Sequence, residues 1–148
     1  MVTFTRHIDL GAQPRMGLIH LSADTRYKLF INKKRVAVGP SRGSQYIWYY
    51  DSVDISSYLQ QGRNEIQIVV LRYFAANRAA MPFARTSFPG LTVFGAIDSG
   101  VEAVEICTKQ TQEWRAKVHN EVQFPTGSID DGFLHVRLGP ACRKLMAC

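Results

Sequence analysis

Hydrophobic residues in this chain come in short alternating runs, and none continues at helical spacing far enough to build an amphipathic helix. Val2, Phe4, Ile8 and Leu10 sit on alternate positions, with Arg6 interrupting the apolar set. A period of two is what a half-buried strand requires. After residues 11–15, which carry Gly and Pro, the segment Gly17-Leu18-Ile19-His20-Leu21-Ser22 resumes a strand-like run, and Tyr27, Leu29 and Ile31 alternate again. The polar turn Asn32-Lys33-Lys34 leads into Arg35-Val36-Ala37-Val38, so residues 26–38 predict a hairpin. Lys33 stands where a tight turn prefers glycine, which leaves the turn type open.

Gly39-Pro40-Ser41-Arg42-Gly43-Ser44 reads as a loop, and the aromatic run Tyr46-Ile47-Trp48-Tyr49-Tyr50 as a strand. Asp54 is suited to cap a single helical turn over residues 55–59, ended by Gly62. Residues 65–72 set Ile66, Ile68 and Val70 on one face and Gln67, Val69 and Leu71 on the other, as in a central strand covered on both sides. Residues 73–89, with Pro82 and Pro89 and no clean period, predict a long loop. Further strands are expected within residues 91–94, 101–107, 114–118 and 133–136. Short strands with one short helical turn describe an all-β protein, an antiparallel β-sandwich of jelly-roll type.

The chain has 148 residues, 46% of them hydrophobic and 20% charged, which suits one globular domain. It contains no apolar run long enough to span a bilayer. The start, Met1-Val2-Thr3-Phe4-Thr5-Arg6-His7, lacks the basic-then-apolar layout of a secretory signal, so a cytoplasmic location is the default expectation. Cys107, Cys142 and Cys148 are odd in number and fit no metal-ligand spacing, which suits a reducing compartment. The net charge is +6, but Arg137, Arg143 and Lys144 all follow the last acid, Asp131, and the body before them is only mildly basic.

The run Ser22-Ala23-Asp24-Thr25-Arg26-Tyr27-Lys28-Leu29-Phe30-Ile31-Asn32 resembles the strand and hairpin signature of sugar-hydrolase accessory domains, in which Asn-Gly-Lys commonly follows; Lys33 departs from that glycine. Gly39-Pro40-Ser41-Arg42-Gly43, Trp48-Tyr49-Tyr50-Asp51, Asp54-Ile55, Tyr58-Leu59, Gly62 and Asn64 are similar in order and spacing to the N-terminal domain of α-L-rhamnosidases. Phe88-Pro89-Gly90-Leu91, Trp114-Arg115-Ala116-Lys117 and Phe133-Leu134-His135-Val136 extend the likeness. The resemblance implies a galactose-binding-like sandwich, here residues 1–137, preceding an α/α-barrel that carries the catalytic acids of a glycoside hydrolase. Residues 138–148 form a basic tail that departs from the family pattern, as a truncated or frame-shifted end would. The chain is therefore expected to be a fragment that is not an enzyme on its own, with the parent enzyme's barrel as one partner.

Inverting glycoside hydrolysis needs an acid and a base roughly 6.5–9.5 Å apart across the sugar. Asp51 with Asp54 is the nearest approach to a pair, but Asp54 reads as a helix cap and Asp51 as a strand-end hydrogen-bonding residue. Asp130-Asp131 lies among Gly127, Ser128 and Gly132 and reads as a turn. His7, His20, His119 and His135 are scattered, so no metal, cofactor or catalytic residue is expected. Carbohydrate binding is the stronger candidate. Tyr46, Trp48 and Tyr50 would share one strand face, on which a rhamnose- or galactose-containing glycan can stack, unless they fill the core or meet a neighbouring domain. Arg42, Asp24 and Arg26 are the matching polar candidates, with a buried Asp–Arg pair fixing the hairpin as their structural alternative. Two other readings compete. A purely structural interdomain module would leave an apolar patch uncovered. A basic nucleic-acid-binding β-domain is suggested by the pI near 9.5 and by Lys33-Lys34-Arg35, although three cations at a hairpin tip usually mark a solvated turn.

Overall fold

The computed structural model describes residues 1–41, 47–72 and 90–120. Within them the chain runs through nine strands: β1 (Val2–Leu10), β2 (Met16–Ala23), β3 (Arg26–Ile31), β4 (Lys34–Gly39), β5 (Asp51–Asp54), β6 (Gly62–Leu71), β7 (Leu91–Asp98), β8 (Ala103–Glu105) and β9 (Trp114–Val118). Five form one sheet in the order β4-β3-β6-β1-β9, and four form a second in the order β5-β2-β7-β8. Every pairing is antiparallel. The protein is an all-β antiparallel sandwich.

The alternation in the sequence decides which side of each strand is buried. Ile8 and Leu10 of β1, Tyr27, Leu29 and Ile31 of β3, and Ile66, Ile68 and Val70 of β6 face inward from the larger sheet. Ile19, Leu21 and Ala23 of β2 and Val93 and Ile97 of β7 meet them from the smaller one. β6 is the central strand, paired with β1 and β3, and both its faces are covered: Val69 and Leu71, pointing away from the core, are buried as well. Arg6 does not break β1. It takes the inward position that an apolar residue would occupy, and is itself buried.

The hairpin falls on residues 26–39 with a two-residue turn at Asn32 and Lys33, whose φ angles are +49° and +67°. Positive φ at both central positions defines the type I′ turn, which fits the right-handed twist of the flanking strands. Asn32 is anchored on both sides. Its side-chain oxygen accepts from the Glu65 N–H (2.9 Å), and its amide donates to the Tyr58 carbonyl (3.0 Å) and to Asn64 Oδ1 (2.9 Å).

The structure departs from expectation at several points between residues 47 and 62. Residues 47–50 are not strand; the ladder to β2 begins only at Asp51, opposite Leu21. One step further along β2, the Ser22 hydroxyl donates to the Tyr49 carbonyl at 2.8 Å, so a side chain takes the place of the next rung. The helical turn is a single 3-10 turn, Ser56–Tyr58, and a second one covers Thr111–Glu113. Asp54 closes the first from one residue further back than a cap would, its Oδ1 accepting from the Ser56 N–H (2.9 Å) and hydroxyl (2.6 Å). Gly62 opens β6 at φ +84° rather than ending the turn. The strand expected at residues 133–136, the loop at 73–89, Asp130-Asp131, His135 and the tail at 138–148 lie outside the described residues.

Candidate functional site: an aromatic face on the four-stranded sheet

The outer face of the smaller sheet is built by register. Since Ile19 and Leu21 point inward, Met16, Leu18 and His20 point outward, and β7 sets Phe94 beside His20 while β5 sets Ser52 on its other side. His20 stacks on Phe94 with ring centroids 4.7 Å apart and planes 26° apart. Tyr50 meets both rings edge-on, at 5.5 Å from His20 and 5.6 Å from Phe94. His20 Nδ1 and Ser52 Oγ share a hydrogen bond of 2.7 Å, which fixes the imidazole plane. Tyr50 is 57% exposed, Phe94 43% and Trp48 37%, and Met16 and Leu18 are exposed beside them.

Of the residues singled out from the sequence, Tyr50 and Trp48 are therefore on the surface. Tyr50 reaches the cluster from irregular chain rather than from a strand face shared with Trp48. Tyr46 and Arg42 lie outside the described residues. Asp24 is fully buried. Its carboxylate accepts from the Thr25 hydroxyl (3.1 Å) and lies 3.4 Å from the Arg72 Nε, which makes it one half of a buried Asp–Arg pair. Arg26 donates to the Pro40 carbonyl at 3.2 Å and ties the end of the hairpin to the chain beyond it. His20 and Phe94 were missed. Their signal is the parity of Met16, Leu18 and His20 opposite Gly17, Ile19 and Leu21, which becomes readable once the inward side of β2 is known.

The nearest acids are committed to structure. Asp51 accepts the Tyr27 hydroxyl (2.6 Å) on one oxygen, and the Ser41 N–H (3.1 Å) and hydroxyl (2.8 Å) on the other. Gly39 makes room for this contact: a methyl there would overlap the Asp51 carboxylate and sit 2.8 Å from the Tyr27 ring. Burial, and then the bond to Asp51, push the Tyr27 phenol far above its ordinary value. The hydrogen bonds from the Ser56 side chain and backbone hold the Asp54 carboxyl below its own. A general acid needs the opposite shift. Among the described residues no three His, Cys, Asp or Glu side chains gather as metal ligands, and no helix is long and apolar enough to cross a membrane.

The described residues thus form a two-sheet sandwich with an open aromatic face on its smaller sheet. No family model matches the sequence, and no curated protein does. Solved structures do match. The α-L-rhamnosidase of Dictyoglumus thermophilum aligns with a TM-score of 0.61 and 16% identity, over 78% of this chain and 13% of that one. The GH78 family rhamnosidase of Bacillus sp. GL1 aligns with a TM-score of 0.60 and 28% identity, over 78% of this chain and 11% of that one. The lectin of Pleurotus ostreatus in complex with GalNAc shares the fold at a TM-score of 0.51 and 15% identity, over 78% of this chain and 29% of the lectin. The structural neighbours of this sandwich thus include α-L-rhamnosidases, one of them of family GH78, and a lectin, and the chain spans only a small part of the rhamnosidases' length.

Proposed function

We propose that this chain is a non-catalytic carbohydrate-binding module of an α-L-rhamnosidase-like glycoside hydrolase, occupying residues 1–137 at the N-terminal side of the enzyme. The observation that carries the reading is the exposed ring cluster of His20, Tyr50 and Phe94 on an otherwise regular sheet. Exposed rings offer the apolar C–H face of a pyranose a surface to cover, and the paired His20 and Ser52 supply polar atoms at its edge. The rhamnosidase and lectin folds of the neighbours support the same class of ligand.

A second reading, an interdomain scaffold that binds no sugar, is favoured by Met16 and Leu18, whose exposed side chains extend the face beyond what one sugar ring covers. Calorimetric titration separates the two. With L-rhamnose, galactose and GalNAc as titrants, the carbohydrate reading expects a saturable response that Tyr50→Ala or Phe94→Ala weakens at least tenfold. Absence of any response, together with bright fluorescence of a hydrophobic dye on the folded protein, would leave the scaffold. Release of aryl alcohol from an aryl rhamnoside by the purified chain would overturn the non-catalytic reading.

A further inference from the structure

A cavity of about 310 Å³ opens on the larger sheet, far from the aromatic face in the topology, where β1, the Asn32-Lys33 turn and the start of β6 meet. His7, Lys33, Arg63 and Glu65 line it, with Gln60 at the rim and Asn32 and Asn64 as its floor. The floor is rigid. Asn64 is fully buried, donates to the Gln60 and Gly62 carbonyls (2.7 and 2.8 Å) and accepts from the Gln60 N–H (2.9 Å) and from Asn32. Glu65 faces His7 at 3.9 Å, and Asp9 stands opposite Arg63 in the β1–β6 ladder, but neither Lys33 nor Arg63 is closed into an ion pair among the described residues.

Lys33 is also held in a conformation that disfavours it. At φ +67° in a type I′ turn, glycine fits without strain and lysine does not. Strain that persists beside a cavity points to a side chain retained for what it contacts. We propose that this cavity is a second binding site, which takes the carboxylate or sulfate group of an acidic saccharide between the Lys33 ammonium and the Arg63 guanidinium. Arg63 offers the paired N–H donors that a planar oxyanion accepts, and Lys33 offers a point charge. The volume of about 310 Å³ lies at the low end of the ~300–1,000 Å³ range of small-ligand sites, room for one sugar residue within the cavity itself. The saccharide half of this assignment rests on the carbohydrate-binding reading; the anion half does not.

The test is an amide-resolved NMR titration of the whole chain with glucuronate, glucose 6-sulfate, neutral glucose and a short single-stranded oligonucleotide, repeated on Lys33→Gly and Arg63→Gln. Saturable shifts confined to residues 32–33 and 60–65, given by one or both acidic sugars but not by glucose, and weakened at least tenfold by each substitution, support the site. Comparing the two acidic sugars tells carboxylate from sulfate. Because glycine suits the turn, Lys33→Gly retains the fold, and lost binding in it reports the ammonium. The proposal is overturned by absent shifts, by equal shifts with glucose, by variants that bind as the parent does, or by an oligonucleotide response stronger than that of either sugar acid. Neutral-sugar shifts at His20 and Phe94 report the aromatic face separately, so either site can fail alone.

Discussion

Arg6 lies directly across from Trp114 in the β1–β9 ladder, with its guanidinium carbon 6.0 Å from the centroid of the indole. Only 3% exposed, it fills an inward position of β1 and donates to Gln110 Oε1 (2.8 Å) and to the Glu105 carbonyl (2.9 Å), while Glu113 supplies the opposing charge. The Trp114 indole N–H is bonded in turn to the Cys107 carbonyl at 3.0 Å. A buried cation therefore closes the sandwich at its β9 edge.

Removing the counter-ion strands that cation, whereas removing the cation itself leaves Glu113, half exposed, free to rehydrate. Glu113→Ala is accordingly expected to cost about 2 kcal/mol and Arg6→Met about 1 kcal/mol or less, since Met fills the inward position with a side chain of similar length and leaves no charge buried. Urea denaturation of the two variants measures the order. A larger loss for Arg6→Met would show that the hydrogen bonds, not the charge pair, close this edge.

Tyr27 gives an alkaline signature. Its phenol is raised in the folded state by burial and by its bond to Asp51, so the unfolded chain ionises first as pH rises. The stabilisation is complete below about pH 10, the ordinary tyrosine value, and is lost as pH climbs above it. Absorbance at alkaline pH is expected to show the exposed phenols ionising before Tyr27, which follows only on unfolding. Tyr27→Phe should cost about 1 kcal/mol near neutrality and remove part of the alkaline loss.

Gly95 sits in β7 at φ +153°, and a methyl on it would run into the Leu18 carbonyl oxygen and come within 2.8 Å of the Ile19 Cα. The obstacles are backbone atoms of a paired strand and cannot turn aside. Gly95→Ala is expected to cost about 3 kcal/mol. Because the aromatic face depends on the same β2–β7 register, the variant should also lose the Phe94 to His20 ring-current shifts in its NMR spectrum. Full stability with those shifts intact would refute the register argument.

The strands are readable from sequence because their apolar residues alternate: Ile66, Ile68 and Val70 against Gln67, Val69 and Leu71 are enough to place β6 centrally. The aromatic run misled because β propensity was read from Trp48, Tyr49 and Tyr50 alone, and a strand also needs a partner with free rungs; the Ser22 hydroxyl had already taken the Tyr49 carbonyl. The candidate site was half legible. Tyr50 stood out by type, but His20 and Phe94 come together only through a β2–β7 pairing that joins residues far apart in the chain. For Asp24 the sequence leaves a surface contact and a buried Asp–Arg pair both open, and the structure buries its carboxylate beside Arg72, a partner more than forty positions along the chain that nothing local in the sequence points to.

Two adjacent positions in the hairpin share one backbone conformation and should respond in opposite ways to one substitution. Both Asn32 and Lys33 have positive φ, so glycine relieves the backbone at either. At Lys33 no described ion pair is lost, and Lys33→Gly is expected to stabilise the fold by about 1 kcal/mol. At Asn32 the side chain serves the Glu65 N–H, the Tyr58 carbonyl and Asn64 Oδ1, and Asn32→Gly leaves the first two without those partners. The penalty of about 1–3 kcal/mol for such unmet groups outweighs the backbone relief. Thermal melts should therefore move up for Lys33→Gly and down for Asn32→Gly; a shift of the same sign in both would mean that turn conformation alone, and not the Asn32–Asn64 network beneath it, sets the stability of this end of the sandwich.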